Sequence, residues 1–91
     1  MVVGGAINGN PKHIDDLDIS PAEDGYIIYQ AELDRVHFLN PTAVVILEFC
    51  NGRNSPEEIV EVVREAYGLQ EAPVLEVQDA LLKLKVEGLL M

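Results

Sequence analysis

Apolar residues change their spacing once along this chain, near Leu39. Before it they recur at every second position or in short runs; after it they recur every three or four. Leu17 and Ile19 alternate with Asp16 and Asp18, which predicts a first strand ending at Ser20-Pro21. Asp24-Gly25 makes a turn, and the β-branched and aromatic run Tyr26 to Gln30 follows as a second strand. Ile27 and Tyr29 fall on one of its faces, Tyr26 and Ile28 on the other, so both faces want cover. After a polar turn, Arg35 to Leu39 reads as a third strand in which Val36 and Phe38 share a face. Turns this short imply an antiparallel meander with the third strand at an edge.

The remainder has helical spacing. Asn40 is placed to cap a first helix, with Pro41 at its first position and Leu39 and Val44 spaced for a hydrophobic staple. This helix is expected to run to Asn51 and to close at Gly52, where a left-handed residue is needed. Ser55, Pro56 and Glu58 form a capping box for a second helix, on which Ile59, Val62 and Val63 repeat along one face before Gly68. A third helix begins at Pro73, carries Lys83 and Lys85 near its end, and closes at Gly88. Val77, Leu81 and Leu84, with Ala80 beside them, form the arc expected to face the core. Leu75, Leu82 and Leu89, with Val86 close by, form a second arc about 140° away. One stripe suffices for a helix lying on a small core. The second therefore implies a core on both sides, a dimer contact, or one wall of a hydrophobic groove beside the edge strand.

Three helices in this order resemble a helix-turn-helix unit, and composition changes what that can mean. The chain has 91 residues, enough for one domain, and its 48% apolar content is that of a folded chain. Sixteen acidic residues stand against 6 basic ones, a formal charge of −10. Nucleic-acid affinity comes largely from cations displacing phosphate counterions, so neither nucleic acid nor an anionic membrane is expected as a partner. Residues 1–12 have neither a basic start nor an apolar run fit for a signal peptide or membrane span. They are expected to be a flexible leader to a single domain at 13–91. Cys50 is the lone cysteine, which excludes an internal disulfide and points to a reducing, cytoplasmic compartment.

Candidate chemistry is sparse. His13, His37 and Cys50 lie in no nucleophile motif. Cys50, next to Ile46, Leu47 and Phe49, reads as a buried small hydrophobe, and His37 as a polar strand residue. Asp15, Asp16, Asp18, Glu23 and Asp24 form an acidic cluster. A calcium loop counted from Asp16 would need glycine sixth and glutamate twelfth, where the chain has Pro21 and Ile27. Neither a phosphate-cradling glycine loop nor zinc-ligand spacing occurs. No catalytic residue, metal or cofactor is expected.

The order of these signals resembles the PqqD family, small peptide-binding domains also called RiPP recognition elements; RiPPs are ribosomally made, post-translationally modified peptides. The likeness runs from about Ile14 to Leu90 and is most specific in "VHFLNPTAVVILEFCNGRNSPEEIVEVVREAYG", Val36 to Gly68. "EVQDALLKLKVEGLL", Glu76 to Leu90, is similar to the family's helix of spaced leucines closed by Gly-Leu-Leu. The resemblance implies an α+β fold: a three-stranded antiparallel sheet followed by three α-helices in a winged-helix-like arrangement. It implies a non-catalytic chaperone that takes the leader of a precursor peptide as an extra strand and presents it to a modifying enzyme, expected to be a radical SAM maturase. Carried onto this chain, the strand edge is Asp34, Arg35, Val36, His37, Phe38 and Leu39. The helix wall is drawn, by helical spacing, from Leu75, Gln78, Asp79, Leu82, Lys85 and Val86. Ala80 stands where the family leads one to expect a large apolar residue, which would deepen the groove. Two alternatives stay open: a winged-helix-like module that forms a homodimer through the third helix, and the pyrroloquinoline quinone pathway member of the family itself.

Overall fold

The computed structural model describes residues 10–91, so residues 1–9 of the expected leader lie outside the described residues. Three strands, β1 (Leu17–Ala22), β2 (Gly25–Gln30) and β3 (Arg35–Leu39), form an antiparallel sheet in the order β1-β2-β3. Three helices follow: α1 (Pro41–Phe49), α2 (Pro56–Ala66) and α3 (Val74–Val86). The expected α+β, winged-helix-like fold is present.

Opposed residues of an antiparallel pair share a face, and the register sorts the sheet into two rows. Tyr26, Ile28 and Gln30 of β2 face the helices, opposite Leu39, His37 and Arg35 of β3. Ile27 and Tyr29 face outward, opposite Phe38 and Val36. The inner row reaches the core that Ile28 shares with Ile46 and Leu47 of α1, Ile59 of α2, and Val77 and Leu84 of α3. Among the described residues no helix covers the outer row, and Ile27, Val36 and Phe38 stand exposed on it.

Local chemistry accounts for the element ends. The Asn40 side chain accepts from the Ala43 N–H at 2.8 Å, and Ser55 and Glu58 complete the reciprocal capping box at 3.1 and 2.7 Å. α1 stops at Phe49, two residues short of the expected end: the Cys50 N–H still donates to the Ile46 and Leu47 carbonyls, but at φ −81° and ψ 65° its backbone has left the helix. Gly52, at φ +85°, then makes the reversal. Gly25 has a different reason. A Cβ there would collide with the Leu39 carbonyl oxygen, so only glycine lets the end of β3 pass this close to the start of β2.

Three expectations about boundaries change. β1 does not end at Ser20-Pro21 but continues to Ala22, with Pro21 opposite Tyr26; an edge strand is bonded on one side only and tolerates the missing donor. α3 ends at Val86, so Leu89 leaves the helix and is fully buried instead of continuing the outer stripe. Pro11 and Lys12, placed by the pattern in the leader, are bound. The Pro11 carbonyl accepts from the Gly52 N–H at 3.0 Å and the Lys12 carbonyl from the Met91 N–H at 2.7 Å. The His13 and Ile14 N–H groups donate to the Cys50 and Leu89 carbonyls at 2.7 and 2.9 Å, so the two ends of the described chain lie side by side.

Candidate peptide-binding edge and cleft

β3 is the last strand of the sheet, so one of its sides meets no further strand among the described residues. In an antiparallel edge strand, alternate residues turn amide and carbonyl groups away from the only neighbour. Beside this edge is a cleft of about 410 Å³. Phe38 and Leu39 of β3, Thr42 and Ala43 of α1, and Asp79 and Ala80 of α3 lie on its wall. Glu76, Lys83 and Glu87 complete the α3 side, and Ile46 and Leu84 bring core side chains to its floor. A sheet edge with unused hydrogen-bonding groups beside a partly apolar cleft is a geometry suited to an extended peptide.

The six strand positions expected at the site are not equivalent. Asp34 is a left-handed corner at φ 51°, between a 3₁₀ turn (Ala31–Leu33) and β3, and its carboxylate accepts from the Tyr29 hydroxyl at 2.8 Å. That bond to a carboxylate raises the Tyr29 phenol above its ordinary value. Val36 and Phe38 point outward, 65% and 59% exposed. Arg35 and Leu39 point to the helix side, the former exposed and the latter packed on the core.

His37, read from the sequence as a polar strand residue, is buried. Its Nδ1 lies 2.6 Å from a Glu87 carboxylate oxygen and its Nε2 2.9 Å from Gln30 Oε1. Two oxygens facing one ring are both satisfied when the ring carries two protons, or when it carries one on Nδ1 and the Gln30 amide turns to donate to Nε2. Either way, the ring ties β3 to the end of α3 beneath the cleft. Its side chain is already committed, which leaves only the main chain of His37 to a visitor.

On α3 the geometry departs from the expected wall. Only Asp79 of the six helix positions borders the cleft beside β3. Leu75, Gln78 and Leu82 share a shallow hollow on the solvent side with Asp79, and Lys85 and Leu82 border another hollow with Pro11 and Met91. Leu75, Leu82 and Val86 are 76%, 59% and 78% exposed. The arc turned to β3 is instead Glu76–Asp79–Ala80–Lys83–Glu87, about a third of a turn away. Its i, i+3, i+4, i+7, i+11 spacing marks one face of a helix, but a mostly charged arc carries no apolar signal to turn it toward β3. Ala80 is on it, among the residues that line the cleft.

Elsewhere, burial pushes the Cys50 thiol up to about 11, and the side chain is fully enclosed in the core. Arg64, donating to Glu61, holds that carboxyl below its usual range on the exposed face of α2. Among the described residues no group of three or more His, Cys, Asp or Glu could hold a metal ion, and no helix is long and apolar enough to cross a membrane.

A winged-helix-like α+β domain with an open sheet edge along a helix-lined cleft is therefore the class of protein this chain defines. The family described as "Coenzyme PQQ synthesis protein D (PqqD)" matches residues 25–90, which is most of the chain, and the chain belongs to that family. Its fold is similar to the solution structure of the PqqD truncation of Methylobacterium extorquens PqqCD, at 21% identity and a TM-score of 0.65. The likeness covers 89% of this chain and 87% of that one. That protein is described as a functional and stand-alone RiPP recognition element. Among curated proteins, no match is found.

Proposed function

We propose that this chain is a non-catalytic recognition element that binds the leader of a ribosomally made precursor peptide and presents it to a modifying enzyme, a radical SAM maturase by preference. The observation that carries the reading is the open β3 edge alongside the α3 cleft. The leader adds to β3 as a fourth strand, using the main chain of Asp34 to Leu39. Membership of the PqqD family supports this role, as does the printed description of the Methylobacterium protein. A cytoplasmic location fits the free Cys50 thiol.

Magnitudes assign different tasks to the edge and the cleft. A leader strand of about six residues adds about three or four main-chain hydrogen bonds, each worth roughly 0.5–1.5 kcal/mol net. Association costs on the order of 4–15 kcal/mol, so the edge alone leaves binding weak. Two or three leader side chains buried against the cleft and β3, at roughly 1.5–3 kcal/mol each, add about 3–9 kcal/mol, and micromolar binding, about −8 kcal/mol, is reached toward the favourable end of these ranges. The edge sets direction and register; the side chains set selectivity.

The test is an amide chemical-shift titration of ¹⁵N-labelled protein with the synthetic N-terminal half of a short precursor encoded beside this gene. Shifts are expected at Val36–Leu39 and along Glu76–Glu87. Shifts confined to β1, or to the Leu75–Leu82–Val86 face, reject the reading. A second reading has its own observation, since three exposed apolar residues on one side of α3 also suit a homodimer through that helix. Light scattering separates the two: a stable dimer that buries α3 and admits no peptide favours the second.

A further inference from the structure

The cleft beside β3 has an apolar floor and a mostly acidic α3 side. Ile46 and Leu84 lie at the floor with Ala43 and Ala80 on the walls beside them, while Glu76, Asp79 and Glu87 stand with Lys83 along the α3 side. Glu87 is engaged by His37. The other ion pairs among the described residues join Arg64 to Glu61 and Glu65, so Glu76 and Asp79 have no cationic partner within 4.0 Å. On the outward face of β3 the surroundings are different: the Val36 side chain is exposed there beside that of Phe38, a residue that also borders the cleft. Any strand added to this edge must turn successive side chains alternately to these two environments.

We infer that the leader segment accepted here alternates long-stemmed basic residues with apolar ones. Arg or Lys enters the cleft, its methylene stem lying on Ala80 and Ala43 and its charged end reaching Glu76 and Asp79; the apolar residues between lie beside Val36 and Phe38. This rests on the strand-addition reading above and gives it a substrate class. A leucine entering the cleft would cover the same apolar surface and gain nothing from the α3 carboxylates, whereas an arginine does both. A glutamate meets two carboxylates and the field of a molecule with net charge −10, which repels acidic segments and attracts basic ones during approach.

Three fluorescein-labelled synthetic heptapeptides test it, alternating valine with arginine, glutamine or glutamate, with affinity read by anisotropy at physiological ionic strength and contact site by amide shifts. The arginine peptide should bind about tenfold more tightly than the glutamate peptide and shift the β3 amides. Paired Glu76→Lys and Asp79→Lys changes should reverse that order. Glu57→Lys with Glu65→Lys on α2, which alters net charge equally, should preserve it. Equal binding of all three peptides at β3 overturns this inference and leaves strand addition intact. A preference lost equally in both charge variants also overturns it, because the overall field then explains the selectivity. Failure of every peptide to shift β3 amides overturns strand addition itself.

Discussion

Cys50, in the core, and His37, beneath the cleft, are both buried polar-capable residues, and their burial has opposite consequences. The Cys50 thiol meets only apolar neighbours, so burial moves its ionisation from an ordinary 9.0 to about 11. A raised value means that the folded state keeps its proton after the unfolded chain has lost it. Stability from this group is complete below about pH 9 and is lost as pH rises toward 11. At about 1.4 kcal/mol per pH unit the loss reaches about 2–3 kcal/mol. Urea melts at stepped pH should record that decline, and the Cys50→Ala protein, less stable at the outset, should show a flatter slope over the same interval. His37 is held by partners on both sides. His37→Phe strands Gln30 without its partner in a buried site, and about 1–3 kcal/mol of stability should disappear from the urea midpoint. The two residues also mark how far sequence reasoning reached. A lone cysteine amid Ile46, Leu47 and Phe49 announces burial by its neighbours. His37, flanked by exposed Val36 and Phe38, does not, because its partner Glu87 is fifty positions away in the chain.

At the level of elements, caps and turns were readable and helix rotation was not. Asn40, Ser55–Glu58 and Gly52 act through bonds to residues within a few positions, so the chain alone defines them. The edge position of β3 followed from short connections. Which arc of α3 faces β3 depends on how Val77 and Leu84 dock against α1 and α2, a long-range fact. Three exposed apolar residues drew the reading to the solvent side of that wheel, away from the cleft beside β3. Since Leu82 is 59% exposed and lies off the core arc, Leu82→Asp should change stability by less than about 0.5 kcal/mol. The same protein should retain peptide binding through the β3 cleft, whereas pairing through α3 should be lost. Circular dichroism melts together with light scattering decide both points. A Leu82→Asp chain that fails to fold would mean that α3 is covered on both sides.

For the whole molecule, charge is the dominant property. Sixteen acidic residues on so small a domain repel one another, and few are paired: Glu61 and Glu65 with Arg64, Glu87 with His37. Raising sodium chloride from about 10 mM to about 500 mM should raise the thermal midpoint, because screening relieves repulsion that is stronger in the compact state. A midpoint that falls with salt would mean that attractive pairs outweigh repulsion. The same charge separates this domain from DNA-binding proteins of similar shape, since architecture alone does not set function.

β1 is the other margin of the sheet, and it differs in kind from β3. It is entered through a left-handed Asp16, carries Asp18 on its outward row, and contains Pro21, features that discourage a neighbouring backbone from joining. Only a sheet with two receptive margins can grow without limit, each copy receiving one strand and offering another. With a single receptive margin, growth ends after one addition: whatever joins β3 finds no way onward through β1, and this acidic domain can expose bare main chain without seeding fibres.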